Sequence, residues 1–334
     1  MKKLIPTIVV VAILIIGWVY AANQNYFREE EAVQAKLLNI SSADIQAITL
    51  HEGSKEQPGA DKTVVSTLEV QDGNWHMTEP KDYPLNEYSV SSWLDALSSA
   101  DQEMVVEESP KDMGKYGLDN TATRLDIRLK DGRELKLVIG SQLPTGDTHY
   151  VQVNSGAVVA VKNEAVTNMA LTRQGLMDTT PFNLDESNVG TLEWEGEAAS
   201  WMLKASAEGN TASGRTWTLN GNSVKAEEAI SLISQIKNLT AADDVRKASE
   251  LKGAIPRSTL LVELQGEEST EGSTAVYRMM TTSAEPNLIW VVTPDGQWAY
   301  GLDAANVEEV EKFSDTIKSS NTSSESAEST ESAK

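Results

Sequence analysis

The stretch LDIRLKDGRELKL, residues 125–137, decides how this chain folds. Apolar and charged residues alternate on both sides of Lys130-Asp131-Gly132, the pattern of two half-buried strands joined by a turn. With those three residues as the loop and Gly132 left-handed, Ile127 faces Leu135 and Leu125 faces Leu137 on one side of a sheet. On the other side Arg128 faces Glu134 and Asp126 faces Lys136, so apolar pairs and opposite charges fall into register together. A two-residue Asp-Gly loop would instead set Leu129 against Glu134 and Arg128 against Leu135, mixing the two faces. The three-residue loop is therefore expected, and an antiparallel sheet with it.

Upstream, Asn86 is placed to cap a helix in which Val90, Trp93, Leu94 and Leu97 follow the i, i+3, i+4, i+7 spacing of one face. After Ser223 the same spacing returns at Ala229, Leu232, Ile233 and Ile236, each 139 positions later. GNWHMTEP (73–80) faces GRTWTLNG (214–221), with Trp75 and Trp217 separated by 142 positions. The strand of Leu125, Ile127 and Leu129 is matched 135 positions on by Leu260, Val262 and Leu264, and GAVVAV (156–161) by GQWAYG (296–301), 140 positions on. Four elements in one order at near-constant spacing point to a duplicated unit of about 140 residues. The word YGLD also occurs twice, at 116–119 and 300–303, but its 184-position separation does not fit that repeat. One copy leads into a strand and the other into the amphipathic AANVEEVEKF, so the match is a coincidence.

The N-terminus, MKKLIPTIVVVAILIIGWVYAANQNYF, has Lys2 and Lys3 and then no charge before Arg28. Leu4 to Ala22 is long enough to span a bilayer core, and Trp18, Tyr20, Tyr26 and Phe27 supply an interfacial aromatic belt. Lysines before the span and Glu29, Glu30 and Glu31 after it place the N-terminus in the cytoplasm and the body on the extracytoplasmic side of the cell membrane. A single-pass anchor, held by membrane lipid, is expected. The rival reading is a signal peptide cleaved after Ala21; both export the body.

The chain has 334 residues and a formal net charge of −22, from 28 Lys plus Arg against 50 Asp plus Glu. Such a surface repels nucleic acid and anionic headgroups, which leaves hydrophobic attachment to membranes. With no cysteine, disulfides, thiolate metal sites and cysteine nucleophiles are excluded. The fold expected is α+β: an N-terminal transmembrane helix, then two tandem similar units, each a mostly antiparallel sheet with a packed helix. The boundaries are 1–27 for the cytoplasmic N-terminus and anchor, 28–43 for a helical stalk, and 44–183 and 184–313 for the units. A disordered Ser/Thr/Glu tail over 314–334 completes the chain.

An anchor followed by GNWHMTEP, an amphipathic helix, KYGLDNTATRLDIRLKDGRELKLVIGS and THYVQV resembles the bacterial domain of unknown function 4340 family. The resemblance covers 45–180 well and 188–313 more faintly. LKGAIPRSTLLVEL lacks the Tyr-Gly-Leu-Asp turn, although Pro256 stands where the family often has proline and Asn120 takes that place in the first unit. The resemblance implies a membrane-tethered exported protein with no established activity, often associated with gliding-motility-type ABC export systems.

Nothing in the sequence assembles a reaction, and no catalytic, cofactor-binding or metal-binding residues are expected. His51, His76 and His149 share no ligand spacing, and no HExxH, Gly-x-Ser-x-Gly, Walker or GxGxxG motif occurs. Asp185-Glu186-Ser187-Asn188 lacks the alternation and turn glycine of a calcium loop and reads as a solvated linker. Trp75, Trp93, Trp194, Trp201, Trp217, Trp290 and Trp298 could form a carbohydrate platform but fit core positions better. The function expected is a non-enzymatic, membrane-anchored extracytoplasmic accessory or scaffold of an ABC-type transport complex, with an integral membrane protein as partner. The alternative is a module binding cell-envelope glycan or peptide. An exported hydrolase would need carboxylates such as Asp126 or Glu263 to line a pocket.

Overall fold

The computed structural model describes residues 35–53, 64–206, 212–241, 245–265 and 274–315. Strands β1 (Ile45–Glu52), β2 (Val64–Gln71), β3 (Asn74–Glu79) and β4 (Met104–Glu107) precede a run of four more. These are β5 (Thr123–Leu129), β6 (Glu134–Gln142), β7 (Thr148–Val153) and β8 (Val158–Lys162). Together they make an eight-stranded sheet in the order β3-β2-β1-β5-β6-β7-β8-β4. The later strands are β9 (Val189–Gly196), β10 (Ser200–Ala205), β11 (Trp217–Leu219), β12 (Asn222–Val224) and β13 (Val245–Lys247). They are followed by β14 (Ile255–Leu264), β15 (Thr274–Thr281), β16 (Leu288–Val292) and β17 (Trp298–Asp303). The nine-stranded sheet runs β12-β11-β10-β9-β14-β15-β16-β17-β13. Without the added edge strand β12, this order is the order of the first sheet.

The hairpin pairs as its charges require: Ile127 with Leu135, Leu125 with Leu137, Arg128 with Glu134 and Asp126 with Lys136. Gly132 has φ +87°, the left-handed position where a side chain would be strained. Helix α1 (Glu87–Ser99) begins where the Asn86 side chain accepts a hydrogen bond from the Ser89 amide at 2.9 Å. Its Val90, Trp93, Leu94 and Leu97 are buried, and the Trp93 indole donates to the Met169 carbonyl at 2.8 Å. That bond ties α1 to the end of α2 (Asn163–Met169), which packs on β8. A single turn, α3 (Arg173–Leu176), follows. Helix α4 (Ala226–Lys237) buries Ala229, Leu232, Ile233 and Ile236, and α5 (Ala304–Glu311) packs on β16, β17 and α4. Contacts group the described residues into two compact units, one within 1–64 and 92–170 and the other within 65–91 and 171–334.

The α+β expectation is corrected. The described residues are dominated by two large antiparallel sheets, and only α1 and α4 among the described helices exceed eight residues. Strands of three residues, such as β11, β12 and β13, are too short to show an alternating period in the sequence. Among the described residues no helix is long and apolar enough to cross a membrane; the transmembrane helix expected over 4–22 lies outside them. Of the stalk expected over 28–43, residues 35–41 form no helix, because Lys36 bridges to Asp101 instead, and 28–34 lie outside the described residues. Ser314, the first residue of the expected tail, is buried, and 316–334 lie outside the described residues. Ser223 lies in β12, just before α4, which begins where the Lys225 amide donates to Glu228 at 3.1 Å.

Candidate functional site

In the first unit residues 35–38 are fastened to residues 99–102. The Leu37 amide donates to the Ala100 carbonyl at 2.8 Å and the Gln102 amide to the Ala35 carbonyl at 2.9 Å. Lys36 donates to the Ser99 carbonyl at 2.8 Å. It lies 2.9 Å from Asp101, a contact of charge rather than of hydrogen-bond geometry. Leu37 and Leu38 are buried behind this bridge. Two residues beyond Gln102 begins β4, which among the described residues pairs only with β8 and so forms the sheet edge. Met104 and Val105 on this edge are 59% and 47% exposed, a large apolar surface for a strand whose own N–H and C=O groups are open on one side. A register shift between Val105 and Glu107 interrupts the ladder with β8.

Below that edge the first YGLD turn is locked in place. The Tyr116 hydroxyl donates to Glu107, Lys115 donates to the same carboxylate at 2.8 Å, and the Lys115 ammonium lies 4.6 Å from the Tyr116 ring centre. Those bonds, from Lys115 first and Tyr116 second, hold the Glu107 carboxyl below its ordinary value. Gly117 has φ +66° and sits where a Cβ would come within 2.1 Å of the Ser141 hydroxyl. Gly140, on β6, faces the Tyr116 carbonyl at 2.3 Å from the position of a Cβ. The turn therefore lies directly on β6, and Tyr116, Leu118 and Val158 close a small core with Tyr150 beneath it. The second YGLD is the end of β17 and runs into α5.

The histidines do not converge. His51 lies 2.9 Å from Asp126, which also accepts from Arg124 at 3.1 Å, a charged cluster across β1 and β5. His149 contacts Asn163 at 2.8 Å, and His76 is exposed on β3. Glu263 is exposed on β14. Asp185 accepts from the Ser187 amide and hydroxyl in a local turn, and Glu186 accepts from Ser234 at 2.7 Å. Among the described residues no group of three His, Asp or Glu gathers as a metal set. Trp93, Trp194, Trp201, Trp217 and Trp290 are buried, while Trp75 and Trp298 are half-buried.

The second unit holds a cavity of about 500 Å³ lined by Lys81, Tyr83, Arg246, Ser249, Glu250 and Lys252. Arg246 lies over the buried Trp290 ring, 3.9 Å from its centre, and donates to Glu285 at 2.9 Å. Lys81 and Arg173 lie 4.9 Å and 5.6 Å from the Tyr83 ring centre. Neither the fastening of residues 35–38 to 99–102 nor this cavity is legible in the sequence. Both join residues far apart in the chain, and no local spacing marks them.

The family model described as Domain of unknown function (DUF4340) matches residues 75–256, from β3 of the first sheet into β14 of the second. No curated protein and no solved structure matches the chain.

Proposed function

The chain belongs to the family described as Domain of unknown function (DUF4340), and from that premise we propose that it is a non-enzymatic extracytoplasmic accessory of a membrane transport complex. The apolar segment 4–22 holds it at the cell membrane, and the edge strand β4 is the surface it offers. One observation carries this reading: the point where the chain enters the body, Ala35–Leu38, is hydrogen-bonded to residues 99–102, next to exposed Met104 and Val105. Only 12 residues separate Ala22 from Ala35, so an extended connector reaches at most about 45 Å and keeps that edge near the membrane. Tethering raises the effective concentration of the edge toward membrane-embedded partners without any new contact. The ABC-type identity of the partner rests on the family resemblance.

Affinity purification from detergent-solubilised membranes tests this. The intact chain is expected to carry a membrane subunit of a transporter in fixed proportion, and Met104→Asp with Val105→Asp to lose it while keeping its melting temperature. Equal recovery with both chains would remove β4 from the proposal.

A further inference from the structure

We propose that the second unit binds a small, sugar-sized ligand bearing one phosphate or carboxylate group in the cavity formed by Lys81, Tyr83, Arg246, Ser249, Glu250 and Lys252. Its volume, about 500 Å³, falls in the range of small-molecule sites. Three of its seven lining residues are cationic and one is acidic, in a chain whose formal net charge is −22. A cationic concavity on such a background focuses small anions toward itself.

The sheet does not require these cations. Strand β13, Val245-Arg246-Lys247, occupies the edge position that β4 occupies in the first sheet, where the residues are Met104-Val105-Val106-Glu107. The same strand order is thus built once with an apolar edge and once with a basic one. The basic one is also rigidly presented. Trp290 is fully buried, so the platform under Arg246 is fixed, and Glu285 holds the guanidinium from its side. A planar guanidinium held in this way loses little freedom on taking an oxyanion in its fork. Lys81 and Glu250 are 3.5 Å apart and nearly half exposed, a loose pair that an incoming anion displaces at small cost. Ser249 adds a hydroxyl to the lining, suited to a sugar oxygen.

Calorimetric titration of the intact chain in detergent, at low salt, with glucose 6-phosphate, glucuronate, inorganic phosphate and glucose tests the site. One or both sugar anions are expected to bind with a dissociation constant of about 1 mM or tighter, with glucose silent. Lys81→Gln with Lys252→Gln, which leaves the Trp290 stack intact, should weaken binding about tenfold, and Arg246→Gln should weaken it at least as much. The site is overturned by absent binding of both sugar anions, by glucose binding equally, or by the lysine variant binding as the natural chain does. Inorganic phosphate binding as tightly as the sugar anions overturns the sugar-sized ligand.

Discussion

Lys36 and Asp101 lie 2.9 Å apart, and this contact joins residues 35–38 to the end of α1. Both side chains are well exposed, at 51% and 35%, so the pair itself is worth about 0–1 kcal/mol. The flanking backbone bonds and buried leucines hold residues 35–38 more firmly than the charges do. Asp101→Asn should therefore change stability by less than about 1 kcal/mol, whereas Leu38→Ala should cost about 2–5 kcal/mol. Urea unfolding of both variants checks the ranking.

The two long helices should be equally sensitive inside their own units. Leu97 and Ile236 have no solvent exposure and end the apolar stripes of α1 and α4. Leu97→Ala and Ile236→Ala should each cost about 2–5 kcal/mol, and their costs should add, because they fall in different compact units. A double variant whose loss is far from additive in denaturant unfolding would contradict this.

Acid should loosen the first YGLD turn. The Glu107 carboxyl is held below its ordinary value of 4.5, by the Lys115 hydrogen bond first and the Tyr116 hydroxyl second. A depressed folded value means the stabilisation is complete above the unfolded value and is lost as pH falls through the folded one. Asp119 in the same turn is lowered as well, by the Thr121 hydroxyl and then its amide. The melting temperature should fall as pH drops below about 4.5, and Glu107→Gln should flatten that slope. An unchanged slope in the variant would remove Glu107 from the acid response.

A buried charge closes the second unit. Glu311 is 1% exposed and accepts from Arg257 at 2.7 Å, while Arg257 also reaches Glu308 at 3.5 Å. Removing the cation strands the carboxylate, so Arg257→Ala should cost about 3 kcal/mol or more. Arg257→Met combined with Glu311→Leu should recover most of that loss, since two apolar side chains need no counter-charge. Thermal unfolding of the single and double variants gives the comparison.

These pairs show where the sequence is transparent and where it is not. The hairpin at 125–137 carries its register in its charges, and the faces of α1 and α4 follow from four apolar residues each. Local spacing determines both. Arg257 with Glu311, Arg246 with Trp290 and Lys36 with Asp101 are joined by the fold across 54, 44 and 65 positions, so no periodicity reveals them. Trp75 and Trp217 stand at matching places in sequence, yet one is half-buried and the other fully buried, because burial is decided by what covers each sheet. Ser314, the first residue of the expected tail, is buried through tertiary contacts that its polar neighbourhood conceals.

The central claim is that the β4 edge faces a membrane-embedded partner. A photo-crosslinking residue placed at Met104, and another at the equally exposed Ile255 of the second unit, tests it in intact cells. The account predicts a crosslink from position 104 to a transporter membrane subunit, absent from position 255 and lost when residues 4–22 are deleted. Equal crosslinking from both positions, or full biological function from a chain lacking 4–22, would contradict it.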